Sequence, residues 1–315
     1  MRLHSAVTQY VTYRRTLGEK FISNGNILKA FARSVGQDKN LWNIQEDQVN
    51  AYLVGNGPIT IYWHKKHQAL RGFYRYVISR GYTKTSPLPA ALPKLPQSFV
   101  PYIYDVKELR VILETTFSYQ KKRGQLEPYM VRTLLLLLYG AGLRNSEAID
   151  LKIADVDLVQ KLLTIRETKF NKTRLVPIGD KLTQALSKYA LQRQQEGYSQ
   201  NLENPFFVGR NGKAVNQYTL ESAFQVIREK AGVKRTDNAR YQPRLHDLRH
   251  TFAVHRLTEW YKNGADVQRL LPVLSVYLGH THLAATSVYL TMTPALLDEA
   301  GRRFQQYAFK EESHD

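Results

Sequence analysis

The sequence predicts a mainly α chain of two domains. A helical N-terminal domain precedes a larger, mixed but mostly helical domain with a small antiparallel sheet. Three observations predict this. Apolar residues recur at helical spacing through most of the 315 residues. Five prolines fall within "KTSPLPAALPKLPQSFVP", residues 84–101, which argues against regular helix or a central strand. A period of two brackets the polar turn "TKFNKT". Domains are therefore expected at 1–86 and 102–315, joined by a semi-rigid linker over 87–101.

The first domain reads as successive helices. In "SAVTQYVTYRRTLG", Val7, Tyr10, Val11 and Leu17 recur at helical spacing with basic residues between them. Gly18 and "SNGN" flank the next pattern, "ILKAFARSVG". Asn43 is placed as the N-cap of the helix in "NIQEDQVNAYLVG", with Glu46 three residues on as in a capping box. The last helix lies in "ITIYWHKKHQALRGFYRYVISRG". Its Trp63, Leu70, Phe73, Tyr74 and Val77 line an apolar stripe, and Lys65, Lys66, Arg71, Arg75 and Arg80 are placed outside it. Such residues suit phosphate contact, and equally suit stems lying over apolar surface.

In the second domain "YDVKELRVILETTF" predicts a helix, and "QLEPYMVRTLLLLLYGAGL" a strongly buried one. Leu163 and Ile165 alternate before the polar turn, and Leu175 and Pro177 after it, as in a hairpin. Further helices are expected near 180–196, 217–232, 246–260 and 266–279. There is no internal repeat.

Composition limits the function. Lys and Arg number 45 against 27 Asp and Glu, a formal charge of +18. That excess favours an anionic partner, most simply nucleic acid; a basic surface without a partner is the plainer alternative. The charge is spread through periodic segments, so basic faces on folded domains are expected rather than a polybasic tail. Without cysteine there is no disulfide scaffold, thiol nucleophile or Cys-based zinc site. The start "MRLHSAVTQYVTYRR" lacks the apolar core of a signal peptide. The longest apolar run, in "MVRTLLLLLYGAGL", contains Arg132 and is too short to span a bilayer. A soluble chain inside the cell, away from membranes, is expected.

Three separated clusters could carry chemistry: "GAGLRNSEAIDL" with Arg144 and Glu147; "TKFNKTRLVPIG" with Lys169, Lys172 and Arg174; and "RLHDLRHTFA" with His246, Arg249 and His250, followed by "LGHTHLAATSVYL". Singly, each residue also has an architectural reading. Arg144 could pair with Glu147, Lys169 could be solvated, His246 could brace a helix, and His280 after Gly279 could favour a helix C-terminus. No HExxH, P-loop, dinucleotide fingerprint or GxSxG is present, and His280 with His282 lacks an obvious third ligand. No metal and no cofactor is expected. Composition alone does not choose between Tyr277 and Tyr289 as a nucleophile.

Taken in order, these boxes resemble the tyrosine recombinase, or phage integrase, family, of the simple two-domain type. The arginine of its "GLRxSE" box falls on Arg144 and the acidic residue on Glu147. The hairpin lysine falls on Lys169, with Lys172 as a rival because glycines do not flank the lysine here. The His-x-x-Arg box falls on His246 and Arg249, and "LGHxxxxxTxxYL" places His280 and Tyr289. The resemblance is close over 100–294. The N-terminal part resembles a core-binding domain in pattern and placement only.

The resemblance implies cleavage of DNA through a covalent 3′-phosphotyrosine and a free 5′ hydroxyl, without metal or ATP. Arg144 and Arg249 would neutralise the non-bridging oxygens. Tyr289 would attack phosphorus, its anion favoured by nearby cations, with His246 as candidate proton acceptor. His280 would hydrogen-bond the phosphate, Lys169 would protonate the leaving 5′ oxygen, and Glu147 would orient an arginine or His246. His250 is expected to support rather than react. Lys65, Lys66, Arg71, Arg75, Arg174 and Arg244 are the expected DNA contacts. The implied partner is double-stranded DNA carrying recombination sites. A homo-tetramer would form on it from a monomer or weak dimer, with a Holliday-junction intermediate. A cytoplasmic, nucleoid-associated location is expected. Leu296, Leu297, Ala300, Phe304 and Tyr307 could form a terminal helix stripe docking in cis or on a neighbour. A mobile-element transposase of the same chemistry, or a nicking and resealing enzyme like a type IB topoisomerase, are the alternatives.

Overall fold

The computed structural model describes residues 1–94, 100–119, 124–166, 173–237, 239 and 241–291, and positions 298, 301, 302 and 305. The chain divides into two compact units, 1–99 and 100–315. Lys169, Lys172 and the proposed stripe Leu296, Leu297, Ala300, Phe304 and Tyr307 lie outside the described residues.

Among the described residues the first unit holds four α-helices: α1 (Leu3–Thr16), α2 (Ile22–Val35), α3 (Glu46–Val54) and α4 (Ile61–Ser79). Leu3, Val7, Tyr10 and Val11 of α1 are buried at helical spacing against Leu28, Phe31, Leu70 and Phe73. Leu17 departs from the expected pattern: α1 ends before it, and it is 60% exposed. Asn43 is not the cap of α3. It closes a short 3₁₀ turn, Leu41–Asn43, with its N–H on the Asn40 carbonyl at 3.0 Å. Gln45 takes the cap position, and the Gln48 side chain accepts its N–H at 3.2 Å.

On α4 the predicted stripe of Trp63, Leu70, Phe73, Tyr74 and Val77 is buried, and Lys65, Arg71 and Arg75 are exposed. Lys66 is a correction. It is buried, its Nζ donates to the Tyr52 carbonyl at 2.6 Å and lies 4.9 Å from the centre of the Tyr52 ring. An ammonium committed in that way does not present itself to a phosphate.

The second unit begins with α5 (Val106–Thr115), capped reciprocally by Asp105 and Glu108. Next come α6 (Pro128–Ala141) and α7 (Asn145–Ile149), then β1 (Val156–Asp157), β2 (Leu162–Ile165) and β3 (Arg174–Pro177). These strands form one antiparallel sheet, order β1-β2-β3, with Leu163 opposite Val176 and Ile165 opposite Arg174. Val176, not Leu175 or Pro177, faces the core on β3. The helices α8 (Asp180–Gln195), α9 (Gln217–Lys230), α10 (Asp247–Lys262), α11 (Val267–Leu278) and α12 (Ala284–Ser287) follow, ending in a 3₁₀ turn, Val288–Thr291.

Leu134, Leu137 and Leu138 of α6 sit in the main core with Leu163, Val176, Leu186 and Phe224. A second cluster joins α10 and α11 through Val254, Leu257, Leu271 and Leu278, and includes Tyr289. Among the described residues no helix is long and apolar enough to cross a membrane.

Candidate active site

Two helix ends build the site. Glycines in the left-handed conformation end α6 at Gly142 (φ 59°) and α11 at Gly279 (φ 68°). A Cβ at Gly142 would stand 2.4 Å from Phe252, and one at Gly279 would stand 2.8 Å from Arg174 Nη1. The last carbonyls of a helix lack intrahelical donors and carry the negative end of its dipole, so they attract cations. Here three successive carbonyls take one arginine each. Arg174 Nε donates to Tyr277 O at 3.0 Å, Arg249 Nη2 to Leu278 O at 2.5 Å, and Arg144 Nη2 to Gly279 O at 2.8 Å. Arg249 Nη1 also donates to Gly142 O at 2.7 Å, which joins the two helix ends.

One carboxylate gathers the same three guanidiniums. Glu147 Oε1 accepts from Arg144 Nη1 at 2.6 Å and from Arg174 Nη1 at 3.0 Å. Its Oε2 accepts from the Arg144 backbone N–H at 3.0 Å and from Arg174 Nη2 at 2.8 Å. Arg249 Nη1 stands 3.9 Å from Oε2. Burial alone would raise the Glu147 carboxyl, but the Arg174 and Arg144 bonds and charges overturn that and hold it at about 2. Three arginines against one carboxylate leave two positive charges in excess. Arg249 is lowered to about 10 by burial and then by the Arg144 charge, and so stays protonated at neutral pH. Arg144, with 35% of its side chain exposed, is the most open of the three to an incoming anion; Arg174 has 11% exposed and Arg249 3%.

Beside this cluster lie three imidazoles and a phenol. His246 stands immediately before α10, and the His250 ring lies 5.2 Å from its ring and perpendicular to it. His250 Nδ1 is 3.2 Å from the Tyr289 hydroxyl. The His280 ring stacks 6.1 Å from the Tyr289 ring, and its Nδ1 is 2.7 Å from the hydroxyl of buried Thr286. Burial first, then neighbouring His250 and Arg249, lower His246 to about 4. Burial, then Arg244 and Arg249, do the same for His250, and burial, then Arg249 and Arg144, for His280. At neutral pH all three are therefore neutral, each with one unprotonated ring nitrogen.

Tyr289 is only 3% exposed. Burial raises its pKa, while the charge and hydrogen bond of Arg249 and the charge of Arg144 pull it back; the net shift is upward. The cations favour the phenolate as expected, but do not outweigh burial. A cationic, anion-seeking site with a protonated phenol results.

The structure brings together Arg144, Glu147, His246, Arg249, His250, His280 and Tyr289. It changes three expectations. The imidazole within hydrogen-bonding distance of the Tyr289 hydroxyl is that of His250, one turn along α10 from His246. Arg174 is not a free phosphate contact, since each of its three nitrogens already has a partner. Arg244 is part-exposed, but its Nη2 is 3.1 Å from Asp247 Oδ1. Of the two tyrosines, Tyr277 stacks on Phe252 and donates its hydroxyl to Pro177 O at 3.2 Å. His282 is exposed. Thr286, the T of the "LGHxxxxxTxxYL" box, was the available signal for the residue that holds His280.

The chain is similar to known proteins in sequence and in fold. The sequence pattern of the phage integrase family matches residues 105–295. The chain is 32% identical over 303 residues to a putative integrase/recombinase, y4rB, of Sinorhizobium fredii, covering 96% of each chain. It is 31% identical over 287 residues to the tyrosine recombinase XerC of Thermodesulfovibrio yellowstonii, covering 84% of this chain and 85% of that one. The fold is similar to that of the Tn1549 transposon integrase solved with transposon right end DNA, with a TM-score of 0.71 at 14% identity over 98% of this chain and all of that one (100%).

Proposed function

The chain belongs to the phage integrase family, and on that premise we propose that it cuts and rejoins DNA at specific sites through a covalent bond between Tyr289 and a 3′ phosphate. Strand transfer of the tyrosine-recombinase type is the chemistry of that family. The observation that carries the reading is the Tyr289 hydroxyl, 3.2 Å from His250 Nδ1 and beside the arginines gathered on Glu147.

In the proposed step the scissile phosphate lies against Arg144 and Arg249. Their fixed donors stabilise the charge that grows on the non-bridging oxygens. The Tyr289 oxygen attacks phosphorus, and its proton passes to His250 Nδ1. The P–O5′ bond breaks, and the 5′ oxygen takes a proton from the hairpin lysine, Lys169. Proton transfer of this kind contributes roughly 100- to 10,000-fold. One phosphodiester replaces another, so a 5′ hydroxyl from a partner strand can reverse the step without ATP.

His280, held by Thr286 at 2.7 Å with its ring 6.1 Å from that of Tyr289, would hydrogen-bond the transferring phosphate. Exposed Lys65, Arg71 and Arg75 and the excess of +18 support duplex binding. Four copies on paired sites, a Holliday-junction intermediate and a nucleoid location in the cytoplasm complete the proposal.

The test is a plasmid carrying two direct copies of the sequence flanking this chain's own coding DNA. Wild type is expected to delete the intervening segment. Tyr289→Phe is expected to bind the same duplex with unchanged affinity and to give no deletion above background. Deletion by the phenylalanine variant would refute the nucleophile.

A further inference from the structure

Arg174 lies at the meeting point of three segments. It is the first residue of β3, opposite Ile165. Its two terminal nitrogens grip Glu147 of α7 in parallel, at 3.0 and 2.8 Å, and its Nε holds the Tyr277 carbonyl at the end of α11. Its guanidinium lies so close over Gly279 that a Cβ there would meet Nη1 at 2.8 Å and Cζ at 3.0 Å. The next residue is His280. The Glu147 oxygen that accepts Arg174 Nη1 also accepts Arg144 Nη1, at 2.6 Å.

A carboxylate held from one side by a planar fork has little freedom to turn on its other side. Arg174 thus fixes the direction in which Glu147 faces Arg144. The same residue fills the space above Gly279 and so defines the turn from which His280 projects. With only 11% of its side chain exposed, it has little surface left for a phosphate.

We propose that Arg174 is a positioning residue for strand cleavage, orienting Arg144 through the shared Glu147 carboxylate and locking the Gly279 turn that presents His280. The proposal rests on the strand-transfer reading above. Arg174 begins β3, paired with Ile165 of β2, so the same contact ties that strand to the arginine cluster. Lysine in its place would keep a charge but lose the parallel grip.

The experiment compares wild type, Arg174→Lys and Arg174→Gln on a nicked duplex of the flanking sequence that traps the covalent complex. The capture rate constant is read at saturating DNA, and binding is read across a salt series. A misplacement of about 1 Å costs on the order of 100-fold in rate. Arg174→Gln is therefore expected to capture about 100-fold more slowly, and Arg174→Lys to fall between it and wild type. Both should keep wild-type affinity and salt dependence. A direct phosphate contact would instead reduce the salt slope by about 1. That reduced slope with an unchanged rate would overturn the proposal, as would an Arg174→Gln rate equal to wild type. Should Arg174→Gln fail to fold by circular dichroism, the rate and slope of Arg174→Lys make the same division. Wild type that forms no covalent complex would overturn the strand-transfer reading itself, a result distinct from the failure of Arg174 alone.

Discussion

At Tyr289 burial and charge oppose each other. Burial keeps the phenol protonated, and the arginines favour its anion. In the proposed step the neutral imidazole of His250, 3.2 Å from the hydroxyl, takes the proton. The same burial makes a prediction about stability. His246, His250 and His280 each titrate near 4 in the folded chain instead of 6.5. Between those values the unfolded chain binds more protons, so stability is full above about pH 6.5 and falls as pH drops toward about 4. Glu147 adds a later loss, as pH falls from its ordinary 4.5 toward about 2. Urea midpoints measured from pH 7 to 4 should therefore decline, and His250→Gln should decline less steeply. An unchanged slope in that variant would contradict the burial of His250. At this scale the boxes gave Arg144, Glu147, His246, Arg249, His280 and Tyr289 because each motif is local. The parts played by His250, Arg174 and Lys66 depend on partners 39, 27 and 14 residues away, and no local pattern encodes those contacts.

Two helix C-termini organise the site at the next scale. The end of α6 gives Gly142 O to Arg249, and the end of α11 gives three carbonyls to three arginines. At Gly142 a left-handed φ and the 2.4 Å approach of Phe252 to a Cβ act together. Gly142→Ala is expected to cost about 1–3 kcal/mol in urea unfolding, from backbone strain and displacement of Phe252. A cost below about 0.5 kcal/mol, the range of an unconstrained surface change, would show that α10 adapts freely there. Helix positions in this unit were legible from apolar spacing, since long periodic segments carry a strong signal. The two-residue strand β1 was not, because two residues show no period. Asn43 misled for a related reason: asparagine suits several kinds of turn, and here it closes a 3₁₀ turn through its backbone N–H.

For the whole molecule, two compact units and a charge of +18 fit a protein that grips duplex DNA. The order of five short boxes along some 150 residues identified the family in the sequence, and the family pattern over 105–295 agrees. That order already points to Tyr289 over Tyr277, and the fold adds the surroundings of each. In the folded chain Tyr277 spends its hydroxyl on Pro177 O and its ring on Phe252. Tyr289 alone of the two stands against His250, His280 and Arg249. The most direct measurement is to trap the protein on the nicked flanking duplex, digest the complex with protease and identify the DNA-linked peptide by mass spectrometry. The account predicts that the nucleotide is attached to Tyr289. Attachment to Tyr277, or to any other residue, would contradict it.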